Sequence, residues 1–109
     1  MKIQCECGSL IHDGADGLPH KAHIIPDQSW DALFDRVDEL IETQCSTAAD
    51  RDAACTKIRS LFTTAARLAW QCGACGRVYI DDAARRVECF VPATAAASRA
   101  VFRAQEGGS

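Results

Sequence analysis

Cys72-Gly73-Ala74-Cys75-Gly76 is a C-x-x-C-G turn, and Cys5-Glu6-Cys7-Gly8 is a shorter C-x-C-G version near the other end of the chain. Two sulfurs on one tight turn reach a common ion at about 2.3 Å, and two such turns supply four soft, anionic ligands. That donor set matches tetrahedral Zn²⁺ better than any harder cation. Cys5, Cys7, Cys72 and Cys75 are therefore expected to hold one structural zinc ion. The glycines, Gly73 and Gly76 above all, are expected to free the backbone so that amide N–H groups turn toward the sulfurs. A four-thiolate shell leaves no open position to activate water, so the metal is expected to support shape.

Other residues compete for these roles. Cys89 follows the second turn and is an alternative thiolate, and His12, His20 and His23 are alternative imidazole ligands. Cys45 and Cys55 read as small buried hydrophobes. A redox use of Cys72 and Cys75 calls for a helix after the motif, where the dipole lowers a thiol pKa. Here Gly76-Arg77-Val78-Tyr79-Ile80-Asp81 reads as a strand instead. The sequence has no phosphate-binding glycine loop, no nucleophile elbow, no H-E-x-x-H and no zinc-deaminase signature. No catalytic residue is expected, and the chain does not read as an enzyme.

The usual spacing between cysteine pairs is about 15–20 residues, whereas 64 residues separate Cys7 from Cys72. The elements in between account for this. Trp30, Leu33, Phe34, Val37, Leu40 and Ile41 recur with helical period and predict an amphipathic helix over 28–44, capped by Asp27 or Ser29. Ser46, Thr47 and Asp50 are candidate caps for a second helix over 48–65, with Cys55, Ile58, Phe62 and Ala65 as its apolar stripe. So short a connection implies a helical hairpin. Strands are expected at 2–4, 9–12 and 21–25, then from Leu68, at 77–81 and at 87–91. In the strand from Leu68, alternation puts Leu68, Trp70 and Cys72 on one side. The fold class is α+β: zinc-ribbon-like antiparallel strands with a two-helix hairpin, residues 28–66, inserted between the two knuckles of a single domain over 1–92. Residues 93–109 are an alanine-rich tail, expected as a short helix through Val101 and Phe102 or as mobile chain.

Cys-x-Cys-Gly near the start, with Cys-Gly-x-Cys-Gly-Arg-x-Tyr-Ile-Asp from Cys72 to Asp81, resembles the zinc-ribbon proteins. The likeness is greatest to small bacterial proteins that carry the first motif, a Leu-Pro-x-Lys-Ala-His-Ile-Ile-Pro-Asp segment (Leu18 to Asp27) and an acidic helix. The resemblance covers residues 1–92. It implies a fold and a metal, and no activity.

Composition bounds the rest. A chain of 109 residues with 48% apolar and 25% charged residues is an ordinary globular domain. No stretch approaches the ~20 apolar residues of a membrane span, and no secretory leader is visible, so a cytoplasmic location is expected. In a reducing compartment seven cysteines read as ligands and buried thiols rather than disulfides. Residues 1–50 carry ten acids and three bases, and residues 51–109 carry five acids and nine bases. An acidic first half suits a basic protein partner. The leading expectation is accordingly a protein–protein interaction module, of immunity, antitoxin or regulatory type. Arg77, Arg85 and Arg86 near the second knuckle carry the alternative, a nucleic-acid-binding ribbon. A thiol redox or metal sensor would use Cys45, Cys55 or Cys89.

Overall fold

In a computed structural model that describes residues 2–105, the chain is α+β, with two sheets and two helices. The elements are β1 (Lys2–Gln4), β2 (Leu10–His12), β3 (Lys21–Ile24), α1 (Asp27–Thr43), α2 (Ala48–Ala65), β4 (Arg67–Gln71), β5 (Val78–Asp81) and β6 (Val87–Phe90). β1 and β2 form an antiparallel pair in which Ile3 faces Ile11, and the second sheet has the order β3-β4-β5-β6. In that sheet Trp70 pairs with Tyr79, and Tyr79 pairs with Cys89. No helix among the described residues is long and apolar enough to cross a membrane.

The chain divides into two compact units. One comprises the residues up to His23 together with the chain from Arg67, and the other is Ile24–Ala66. The first unit holds both cysteine turns. Its core is Cys5, Ile11, Trp70, Cys72 and Tyr79, with Ile3, Leu68 and Cys75 packed against them. Two of the five core residues are thus the first cysteines of the two motifs, and the sulfur cluster continues the apolar core.

β4 departs from simple alternation, because Ala69, Trp70 and Gln71 are all buried. The chain after β6 explains part of this. Residues 93–105 form turns rather than the expected helix, and they lie back on β4 through one side chain. Gln71 Nε2 donates to the Ser98 carbonyl at 3.0 Å and to the Gly76 carbonyl at 3.2 Å, while its Oε1 accepts the Val101 amide at 2.9 Å. A buried amide with this many partners has its lost solvation offset and fixes the segment it holds. Val101 is exposed and Phe102 half-buried. The end of the expected tail, 106–109, lies outside the described residues.

The second unit is the helical hairpin. Leu33 and Leu40 of α1 are buried, as is Ala54 of α2. Two differences from expectation concern this unit. α1 begins after Pro26, which has no side chain to cap it, and neither Asp27 nor Ser29 does so. Pro26 instead supplies the carbonyl that accepts the Ser29 amide, at 2.9 Å. On α2 the inward residue is Ala54, with half-buried Ile58, Leu61 and Ala65 at its helical spacing, whereas Cys55 is exposed. Thr47 caps α2, its hydroxyl accepting the Asp50 amide at 3.1 Å.

Candidate metal centre

The first cysteine turn grows out of the β1–β2 hairpin. The Cys5 amide donates to the Ser9 carbonyl at 2.9 Å, and the Gly8 amide returns to the Cys5 carbonyl at 2.9 Å. The second turn joins β4 to β5 by the same device. There the Cys72 amide donates to the Arg77 carbonyl at 2.9 Å, and the Gly76 amide returns to the Cys72 carbonyl at 2.8 Å. In each turn the glycine after the second cysteine has positive φ, +97° at Gly8 and +85° at Gly76. Only a residue without Cβ takes that conformation without strain. Gly73, expected to need similar freedom, has no positive φ, and a Cβ there would meet no atom within 4 Å. Its size is not what the turn requires.

The two turns bring Cys5, Cys7, Cys72 and Cys75 together, with every sulfur within 4.8 Å of the others. Cys5 Sγ and Cys75 Sγ are 3.5 Å apart, and Cys7 Sγ and Cys72 Sγ are 3.6 Å apart. Four bonds of about 2.3 Å in a tetrahedron place sulfurs about 3.8 Å apart, so the cluster has the size of a metal shell. Cys5 and Cys72 are buried, Cys75 is half-buried and Cys7 is exposed. All seven cysteines are free of disulfides. Four close cysteines of this kind could hold a metal ion.

The surroundings favour thiolates on the outer side of the cluster. The Ser9 amide, helped by the Ser9 hydroxyl, draws the Cys7 thiol down to about 6. The Arg77 amide and then its guanidinium lower the Cys75 thiol, and Arg77 Nη1 donates to Cys75 Sγ at 3.3 Å. The same contact raises the Arg77 pKa, while Arg77 Nε is buried without a hydrogen-bond partner. On the inner side burial pushes the Cys72 thiol up to about 11, opposed by the amides of Cys75 and Ala74. A cation among the sulfurs would remove that penalty, because a coordinated thiol is deprotonated outright.

Two further residues hold the first turn and its strand in place. The Tyr79 hydroxyl accepts the Glu6 amide at 3.1 Å, and the Cys5 sulfur beside it, then burial, hold the phenol proton well above its ordinary range. Asp13, after β2, pairs with Lys21 at 2.8 Å and accepts the Trp70 indole N–H at 3.0 Å. Neither residue stands out in the sequence. Tyr79 falls on a strand whose apolar spacing already accounts for it, and Asp13 falls in a turn where aspartate is common.

The alternative ligands are not part of the cluster. Cys89 is exposed on β6, and His12, His20 and His23 are not among the grouped residues. His20 Nε2 instead faces the His12 carbonyl at 2.6 Å. Cys45 is half-buried with its thiol toward the Leu40 carbonyl at 3.6 Å, and Cys55 is exposed.

Fold and site together define an α+β domain in which a helical hairpin separates two cysteine turns that share one cluster. The chain belongs to the family described as Domain of unknown function (DUF8617), whose model matches residues 1–94. No curated protein and no solved structure matches the chain.

Proposed function

We propose that the four thiolates hold one structural Zn²⁺ and that the chain is a non-catalytic protein–protein interaction module. The donor set and the sulfur separations support the metal. Sulfur-only tetrahedral shells suit zinc or iron. A bound ion supplies shape, since a closed shell has no position for substrate or water. Metal analysis of the purified protein distinguishes the two ions, with one equivalent of zinc expected.

One observation carries the interaction reading. On α1, Trp30, Phe34 and Ile41 are 46%, 43% and 54% exposed. At 100° per residue these three fall within about 40° of one another. Trp30 and Phe34 stack edge to face with centroids 4.8 Å apart. The exposed carboxylates of Asp27, Asp38, Asp31 and Glu42 follow on the adjacent flank. Large aromatic anchors beside one sign of charge are the elements of a docking surface. They suit a basic partner with apolar anchors of its own, of the kind an immunity, antitoxin or regulatory protein would mask. The nucleic-acid reading is weaker, because Arg77 is engaged at Cys75 and leaves only Arg85 and Arg86 of the three arginines.

The test is recovery of a partner from the native cell by the metal-loaded chain and by a Trp30→Ser/Phe34→Ser variant. The reading expects a partner that the variant loses and whose affinity falls as salt rises. A partner retained by the variant, or an affinity indifferent to salt, would reject it.

A further inference from the structure

A cleft of about 460 Å³ lies within the first unit, beside the second cysteine turn. Its lining includes the apolar Leu10, Ile11 and Pro19 together with Gly73, Arg99 and Arg103. The volume is that of a small-molecule site, which joins an apolar surface to a few polar groups. No aspartate or glutamate lines it among the described residues. Arg99 and Arg103 are exposed, and neither guanidinium has an ion-pair or hydrogen-bond partner among the described residues. We infer that this cleft binds a small organic anion, a carboxylate or phosphate on an apolar body, through Arg99 and Arg103.

The wall that carries the arginines is built rather than loose. Gln71 holds the Ser98 carbonyl and the Val101 amide, on either side of Arg99, to the end of β4. The stem of Arg99 lies over Gly76, close enough that a Cβ there would come within 3.4 Å of Arg99 Cγ. His20, another lining residue, is held by the contact of its Nε2 with the His12 carbonyl. Two arginines and an apolar surface in one lining match an oxyanion head and an apolar remainder, since arginine binds carboxylate and phosphate alike in bidentate fashion.

The inference stands apart from the metal and partner readings, and a failed anion titration leaves both in place. The test is titration of the full, metal-loaded chain at constant ionic strength with phenyl phosphate, benzoate and inorganic phosphate, followed by amide NMR. Phenyl phosphate is expected to give saturable shifts at Leu10, Ile11, Gly73 and Ala100. Inorganic phosphate should bind about tenfold more weakly, lacking an apolar body. The Arg99→Ala/Arg103→Ala variant should lose at least about tenfold in affinity. Arg99→Lys/Arg103→Lys, which keeps the charge and the stems, should fall between the two, and Arg51→Ala/Arg59→Ala on α2 should bind as the parent does. Absence of saturable shifts at the cleft with all three probes would overturn the inference. So would equal binding by the double alanine variant, or equal loss in the α2 variant.

Discussion

The Tyr79 hydroxyl accepts the amide of Glu6, the residue between the two cysteines of the first turn, across 73 positions of sequence. One bond thus ties the β1–β2 hairpin to the middle of the larger sheet, beside the sulfurs. Tyr79→Phe removes the acceptor and little volume. It should cost about 1 kcal/mol of stability. Outer partners of metal ligands are worth about 10–100-fold in affinity, and a single neutral bond belongs near the lower figure. Competition with a chromophoric chelator measures it; an unchanged metal affinity would show that the bond is incidental to the cluster.

Removing the metal should unfold the first unit. Its core is five residues, two of them cysteines of the cluster, whereas structural zinc sites contribute roughly 10–16 kcal/mol against a domain's net stability of about 5–15 kcal/mol. Chelation at neutral pH should therefore abolish the near-ultraviolet signal of Trp70 and the dispersion of strand amides. The same logic separates the cysteines. Cys5→Ser and Cys72→Ser should lose metal stoichiometry, while Cys55→Ser and Cys89→Ser should keep one equivalent. Retention of the full tertiary signal after complete metal removal would contradict this account.

Much of this arrangement was legible in the sequence, for reasons that differ by residue. The four cysteines announce themselves because soft donors are few and two on one tight turn have the spacing that a common ion would need; the fold brings all four together. α1 is legible because Trp30, Phe34 and Ile41 complete its apolar period, even though all three remain exposed. α2 is legible as a helix but not in its facing, since its buried residue is Ala54, and an alanine carries little periodic signal. Arg77 reads as a phosphate ligand when only its charge is visible; the fold turns it onto Cys75. Gln71 interrupts an apolar run, Leu68-Ala69-Trp70-Gln71-Cys72, and that interruption was the available sign of a structural amide. What it binds depends on the return of the chain after β6, which no local pattern encodes.

Acid should weaken the first unit through Asp13. The Lys21 ammonium, then the Trp70 indole, hold its carboxyl below the ordinary value of 3.8. Because the folded value is the lower one, the stabilisation is complete above the ordinary pKa. It fades as pH falls through that value toward the folded one, where both states become protonated. Asp13→Asn should flatten this part of the stability–pH curve below about pH 4. The comparison is made by denaturant unfolding of both proteins at matched pH, since thiolate protonation affects each alike. Parallel curves for the two proteins would remove Asp13 from the account.

Gln71 should be the residue that keeps the segment after β6 in place. Gln71→Leu preserves bulk and loses the amide, leaving the Ser98 and Gly76 carbonyls and the Val101 amide without their partner. An unpaired buried polar group costs about 1–3 kcal/mol, and the groups left here can partly recover water at the exposed segment. A loss of about 2 kcal/mol is therefore expected. Hydrogen exchange supplies the sharper readout. The Val101 amide should lose its protection in the variant, while the paired amides of β4 and β5 keep theirs. Gly76→Ala approaches the same segment from the other side, placing a methyl 3.1 Å from Pro92 Cγ at φ +85°. It should strain the second cysteine turn by about 1–2 kcal/mol before any steric cost is added. If Val101 exchanges equally fast in the parent chain, the segment is not held by Gln71, and the cleft beside it loses its wall.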